Sequence, residues 1–125
     1  MSFEHETKII EVLGYRFEGK FNLHGFNPND LVKFAEKRHG WGDSNGGFGV
    51  TYPDDLDEYD KEVEKIYIPE GYVEIYGYWG SEKGGFELIV KELDYLNQLL
   101  KVLIELKEST LAESLKRLIE TKTKK

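Results

Sequence analysis

The chain has 125 residues, a formal net charge of −7, no cysteine and an aromatic content of 14 %. That length predicts one domain, residues 1–125, which buries about two-thirds of the surface of its unfolded chain. The aromatic content argues against disorder, and the lack of cysteine excludes a disulfide framework, a cysteine-ligated zinc site and a cysteine nucleophile. Glu4 and Glu6 stand where a secretory signal has bases, and the apolar-rich stretch 96–106 is too short and too polar to span a bilayer. We therefore expect a cytoplasmic protein with no membrane partner.

The first half of the chain predicts strands around one short helix. Residues 8–23 contain two β-rich runs around Gly14 and predict two strands or one long bent strand. Asn27 followed by Pro28 predicts the start of an amphipathic helix that ends at Gly40. The glycine-rich residues after Gly40 predict a loop leading into a strand over 48–52. Residues 54–64 then predict a loop with room for a helical turn.

The second half predicts a β-hairpin followed by two helices. Alternation over 72–79 and again over 86–92 predicts two paired strands, preceded by a turn at 69–71 and joined by the loop GSEKGG. The leucines over 93–106 would cover more of a helix surface than one narrow stripe, and they therefore predict a heavily buried helix. Thr110 and Glu113 fit a capping box that opens a second helix. The fold class expected is α+β, with an antiparallel sheet packed on one face by helices, two of them C-terminal.

Carboxylates are concentrated in one short segment, YPDDLDEYDKEVEK. Residues 54–64 hold seven acids and one base, whereas the acids and bases on either side nearly balance. Such a field attracts a cationic partner, and it would repel nucleic acid and anionic membrane. A basic protein is the predicted partner, with a solvated surface loop as the alternative. The segment has no glycine at the sixth position of a calcium loop, so no metal site is expected.

The strand predicted over 72–79 has two different faces. Val73, Ile75, Gly77 and Trp79 form one face, which we expect to lie in the core. The other face consists of Tyr72, Glu74, Tyr76 and Tyr78. Tyrosines beside a carboxylate can pack on apolar surface and accept a cation, which favours a protein interface. Cross-strand aromatic packing on a half-covered sheet is the alternative.

Catalytic chemistry has one candidate in the sequence. His39, Asp43 and Ser44 lie within six residues of each other, and these residue types can act together in acid–base or nucleophilic catalysis. At the end of a helix, however, a histidine can simply meet the helix dipole. The glycines around Trp41 are spaced one residue too long for a dinucleotide fingerprint, so no cofactor is expected. A small hydrolase-like enzyme that uses His39 and Asp43 is kept as the alternative to a protein that does no chemistry.

The segments DDLDEYDKEVE, EGYVEIYGYWG and GGFELIVKELDYLNQLLKVLIEL together resemble bacterial immunity proteins of contact-dependent growth inhibition and related polymorphic toxin systems. The resemblance is one of type over most of the chain. It implies a protein that binds and neutralises a cognate toxin domain, often a nuclease, without catalysis. A nucleic-acid mimic that inhibits a nuclease is a related alternative. The residues expected to contact a basic toxin are Asp54, Asp55, Asp57, Glu58, Asp60, Tyr72, Glu74, Tyr76 and Tyr78.

Overall fold

The computed structural model describes residues 3–23, 26–42, 48–63, 65, 67–79 and 84–123, with the side chains of 3–6, 15–17, 78–79 and 84–86 outside that description. Its helices and strands are, in chain order, α1 (Phe3–Leu13), β1 (Tyr15–Phe17), β2 (Lys20–Asn22), α2 (Pro28–Lys37), β3 (Trp41–Gly42), β4 (Gly49–Thr51), α3 (Glu58–Glu62), β5 (Tyr72–Trp79), β6 (Gly84–Lys91), α4 (Glu92–Glu105) and α5 (Ser109–Thr123). Strands β3-β4-β5-β6 form an antiparallel sheet in that order, and β1 pairs with β2 in a separate ribbon.

The central pair of strands follows the alternation of the sequence. β5 and β6 are antiparallel along their whole length, from Tyr72 opposite Lys91 to Trp79 opposite Gly84. The predicted turn before β5 is present, because the Tyr72 amide donates to the Pro69 carbonyl at 3.1 Å. Gly71 has φ +86° there, a conformation that favours glycine. The predicted hairpin is confirmed, and its connecting residues 80–83 lie outside the described residues.

Helices pack on one face of this sheet and form the core with it. Val73 and Ile75 point inward from β5 and are fully buried. α1 and α4 pack against β5 from that side, and α5 packs against α4 and α2. The predicted α+β class, with an antiparallel sheet, helices on one face and two C-terminal helices, is confirmed.

The start of the chain is helical, so the strand predicted over residues 8–13 is wrong. Ile9, Val12 and Leu13 have 0 % exposure and recur at i, i+3 and i+4, the spacing of one face of a helix. Their β-branched neighbours favoured a strand, but burial of that face against α4 and β5 outweighs so small an intrinsic preference.

At the other end of the chain, α5 begins at Ser109, so Thr110 lies inside the first turn instead of capping it.

α2 begins as predicted and ends earlier than predicted. The Asn27 side chain accepts a hydrogen bond from the Asn29 amide at 2.8 Å, and Pro28 is the first helical residue. The helix ends at Lys37 because Arg38 has left-handed backbone angles, with φ 53°. A non-glycine residue in that conformation is strained. The turn directs the Arg38 side chain away from the helix and toward the acidic part of the chain.

Candidate functional site

The acidic segment is defined as residues 54–64, and its described part, 54–63, forms two short helical turns that its own carboxylates help to build. Residues Pro53–Asp55 form a 3-10 turn in which the Tyr52 amide donates to Asp55 Oδ2 at 2.8 Å. Asp57 then caps α3: it accepts from the Asp60 amide at 2.9 Å, and Asp60 accepts from the Asp57 amide at 3.2 Å. This reciprocal capping box stabilises a helix of only five residues. The helical turn allowed for by the sequence is therefore present.

Two bases at the end of α2 face the first two acids of the segment. Arg38 Nη1 lies 3.2 Å from Asp54 Oδ2 and 3.1 Å from Glu70 Oε1. His39 Nδ1 lies 3.5 Å from Asp55 Oδ1. The predicted acids are thus not equivalent. Asp54 lies beside Arg38 and Asp55 beside His39. In the part of the chain that the structure describes, neither base forms an ion pair with a carboxylate of α3.

α3 combines exposed acids with exposed apolar side chains. Glu58 and Glu62 are exposed on it. Tyr59 is 60 % exposed and Val63 59 % exposed, and their i, i+4 spacing places them on the same side of the helix. A tyrosine and a valine open to solvent beside carboxylates are typical of an interface that combines charge with apolar contact. Sequence analysis missed these two residues, although their spacing within EYDKEV was a usable signal.

The tyrosine face, defined as the side of β5 that bears Tyr72, Glu74, Tyr76 and Tyr78, lies opposite the helical layer. Its first three side chains are half-buried. The Tyr78 backbone lies in β5 opposite Gly85, and its side chain is outside the described residues. Burial, and then the nearby Glu87, raise the pKa of Glu74. Burial, and then Glu74, raise the pKa of Tyr76. The ionised form of Glu74 is therefore disfavoured in the free protein, and an incoming cation would stabilise it.

Two glycines let the Tyr76 ring lie close to the sheet. Gly42 and Gly49 are opposite each other in β3 and β4, and Gly49 is opposite Tyr76 in β5. A Cβ atom at Gly42 would lie 2.8 Å from the Tyr76 hydroxyl, and one at Gly49 would collide with the ring. Part of the glycine-rich loop expected after Gly40 is therefore strand, and glycine is needed there for contact with a side chain.

A shallow depression of about 290 Å³ joins the acidic segment to the tyrosine face. Its lining residues are Gly40, Trp41, Gly42, Val50, Thr51, Asp55 and Tyr76. Three of these residues have polar side chains and come from different parts of the chain: Thr51 from β4, Asp55 from the turn after it and Tyr76 from β5. A carboxylate beside an aromatic ring suits a cation, since the first supplies negative charge and the second a negative π-face. We call this feature the Asp55–Tyr76 depression.

A buried polar cluster supports the site from behind. Trp41 Nε1 donates to the Tyr95 hydroxyl at 3.1 Å, and Glu92 Oε2 lies 3.0 Å from Lys122 Nζ. Burial raises the pKa of both Tyr52 and Tyr95. Their phenols therefore stay neutral at physiological pH. That of Tyr95 accepts the Trp41 hydrogen bond, whereas that of Tyr52 is buried with no hydrogen-bond partner among the described residues. The cluster connects β3, α4 and α5, and so holds the rim of the depression in place.

His39 lies on the surface and does not line the depression. Its side chain is 67 % exposed, its ring is 6.0 Å from that of Phe34, and its acidic neighbour is Asp55. Asp43 and Ser44, the other members of the predicted catalytic group, lie outside the described residues.

Among the residues described, no group of three histidine or carboxylate side chains is placed to hold a metal ion. In the same part of the chain, no helix combines the length and apolarity needed to cross a membrane.

No protein-family model matches this chain, and no curated protein or solved structure matches it either. The function is therefore inferred from the residues and geometry described above.

Proposed function

We propose that this protein is a cytoplasmic inhibitor of the immunity-protein type, which binds a basic cognate toxin domain with nuclease activity and blocks it. Binding uses the acidic segment and the tyrosine face, and the protein does no chemistry. Immunity proteins of polymorphic toxin systems, which the sequence resembles in type, act in this way. The partner's basic surface is the one that a nuclease would otherwise offer to its anionic substrate.

The observation that supports this proposal most strongly is that the two predicted binding features are adjacent. Asp55 belongs to the acidic segment and Tyr76 to the tyrosine face, and both line one depression. The sheet face around it continues through Glu87, Ile89 and Lys91 of β6, all of which are exposed. Negative charge and aromatic area thus share one side of the molecule, as binding of a basic protein surface requires.

The two parts of the surface have different roles in this proposal. Glu58 and Glu62 on α3 are exposed, so they steer the basic partner during encounter. Tyr59 on the same helix and Val63 directly after it then bury apolar area once contact is made. Charge is therefore expected to act mainly on the association rate, and the aromatic anchors on the dissociation rate.

The enzyme alternative would use His39 as a general base. Its only described acidic partner is Asp55, at 3.5 Å, and the imidazole opens to solvent with 67 % exposure. A general base needs a substrate atom within about 3 Å, in a site that excludes water. The geometry favours binding over catalysis. If His39→Ala abolished an activity while leaving partner binding intact, the enzyme alternative would replace the inhibitor as the proposed function.

The test looks for a large toxin gene directly upstream and uses its basic domain in stopped-flow association and a nuclease assay. Reversing Glu58 and Glu62 to lysine leaves the capping box of Asp57 and Asp60 in place. We expect the association rate constant to fall by about 10-fold or more at 0.01 M salt. The difference between the association rate constants of the variant and the unmodified protein should disappear near 1 M salt, where the Debye length is about 3 Å. A Tyr59→Ser variant should associate normally and dissociate about 10-fold faster or more.

The matched control reverses Glu113 and Glu120, two exposed acids on α5, to lysine. It makes the same change in net charge away from the proposed surface. Equal slowing by both pairs would mean that net charge alone acts, and unchanged rates would make the acidic segment a solvated surface. Absence of a toxin gene, with capture of a restriction-type or phage nuclease instead, would favour the nucleic-acid mimic.

A further inference from the structure

We propose that the Asp55–Tyr76 depression is a pocket for a single arginine side chain of the basic partner. This inference rests on the proposed function, because it names the side chain that the basic partner inserts. The depression has a volume of about 290 Å³, just below the range of roughly 300–1,000 Å³ found for small-molecule pockets. The space therefore suits one long side chain better than a free metabolite.

The carboxylate in the pocket is held in a fixed position. The Tyr52 amide donates to Asp55 Oδ2 at 2.8 Å, and the His39 ring lies 3.5 Å from Oδ1. The side chain of Asp55 is only 21 % exposed, so its charge is partly shielded from water. Each carboxylate oxygen has two acceptor positions, and both oxygens keep capacity for a further donor. A cation that enters meets an acceptor that does not need to reorganise.

The other lining residues favour a flat cation. Tyr76 supplies an aromatic ring, and Thr51 supplies a hydroxyl. Gly40 and Gly42 have no side chains, and the space that a Cβ atom would take there is filled by the two polar groups: a Cβ at Gly40 would collide with the Asp55 carboxylate, and one at Gly42 would lie 2.8 Å from the Tyr76 hydroxyl. Both groups therefore pack directly against the backbone, which fixes their positions. A guanidinium stacks on aromatic rings and forks onto carboxylates, whereas an ammonium is a strongly hydrated point charge. Arginine is therefore the expected occupant.

Neighbouring charge adds to this preference. Glu74 lies opposite Thr51 in the β4–β5 pairing, and therefore at the edge of the pocket. Its pKa is raised by burial and by Glu87, so its ionised form is disfavoured in the free protein. A cation bound beside it relieves that cost. Binding should consequently release a fraction of a proton and weaken as the pH falls toward the pKa of Glu74.

The experiment titrates the ¹⁵N-labelled full chain with N-acetyl-arginine methylamide and follows amide shifts by NMR. We expect a dissociation constant in the range of about 1 mM, typical of one ion-paired group, with shifts centred on Gly40, Gly42 and Thr51. The matched probe is N-acetyl-citrulline methylamide, which has the same shape and no charge, and it should bind about 10-fold more weakly or worse. The corresponding lysine compound should be intermediate.

Two variants locate the site. Asp55→Asn can still accept from the Tyr52 amide, so the fold is retained, and it should weaken arginine binding by about 10-fold. Gly42→Ala places a methyl group 2.8 Å from the Tyr76 hydroxyl and should weaken binding with no change of charge. Asp54→Asn is the matched control, since Asp54 is the adjacent acid and lies outside the pocket lining. It should change the affinity less than about 3-fold.

Equal effects of Asp54→Asn and Asp55→Asn, shifts centred on α3, or equal binding of citrulline would each overturn the arginine pocket. Because the probe is arginine alone, this result is independent of the toxin. A toxin domain that binds tightly while arginine leaves the depression unperturbed would refute the pocket and leave the inhibitor. Arginine binding in the depression, with no basic partner bound, would support the pocket and refute the inhibitor.

Discussion

Replacing Arg38 by methionine should destabilise the protein by about 2–3 kcal/mol. Its guanidinium faces Asp54, Glu70 and Glu92, and of these carboxylates only that of Glu92 is buried, with 6 % exposure. Removing one partner of a buried ion pair costs about 3–5 kcal/mol. Two features lower that figure: Arg38 Nε lies 3.8 Å from Glu92 Oε1, longer than a hydrogen bond, and Lys122 Nζ remains 3.0 Å from Oε2. Methionine keeps the length of the apolar stem, so the lost charge dominates.

Urea denaturation and thermal melting at pH 7 measure this cost. An unfolding entropy of about 2.1 cal/mol/K per residue gives about 0.26 kcal/mol/K for this chain, so the melting temperature should fall by about 8–11 °C. The matched variant Asp54→Asn removes an exposed partner of the same guanidinium and should cost less than about 1 kcal/mol. The double variant Arg38→Met with Glu92→Met should be more stable than the sum of the single changes, because both charges leave together. A cost of under about 1 kcal/mol for Arg38→Met, or an equal cost for Asp54→Asn, would show that the buried contact between Arg38 and Glu92 does not stabilise the fold.

Two further outcomes are expected on the sheet. Gly49→Ala should destabilise the protein by about 1–3 kcal/mol in urea denaturation, because the new methyl group collides with the Tyr76 ring. Adding Tyr76→Ser should recover part of that loss, because the Trp41 carbonyl oxygen, 2.5 Å from the new methyl group, remains in place. No recovery at all would show that the ring is not an obstacle. Glu74→Gln should stabilise the protein at pH 7, because burial and Glu87 raise the folded-state pKa of Glu74 above its ordinary 4.5 and so disfavour the ionised form. The gain should disappear as the pH falls below about 4.5, where the carboxyl is protonated in both states; a gain that persists at pH 3.5 contradicts this cause.

Some elements were predictable because their signals are local. The period of two over 72–79 matches β5, Asn27 and Pro28 start α2, and the leucine pattern matches α4. In each case the same short stretch contains both the pattern and the residues that begin or end the element. The concentration of acids was also visible directly in the sequence.

Misjudged elements were those whose state depends on distant contacts. Ile9 and Val12 favour strands intrinsically, and only packing against α4 and β5 makes their helical spacing decisive. Gly42 suggested a loop, yet it lies in β3 opposite Gly49, which falls in β4 within the strand predicted over 48–52, and the Tyr76 side chain occupies the space above both glycines. A side chain from another strand is invisible to a local pattern.

The sequence by itself determined the composition of the candidate site: an acidic segment, an alternating tyrosine strand and a glycine-rich stretch before them. The tertiary structure decided which of these residues meet. β4–β5 pairing brings Asp55 and Tyr76, 21 positions apart, to one depression. The left-handed turn at Arg38 aims one guanidinium at carboxylates from three separate parts of the chain. Charge and periodicity are properties of a segment, but contact between segments depends on how the whole chain buries its apolar surface, and that is settled only on folding.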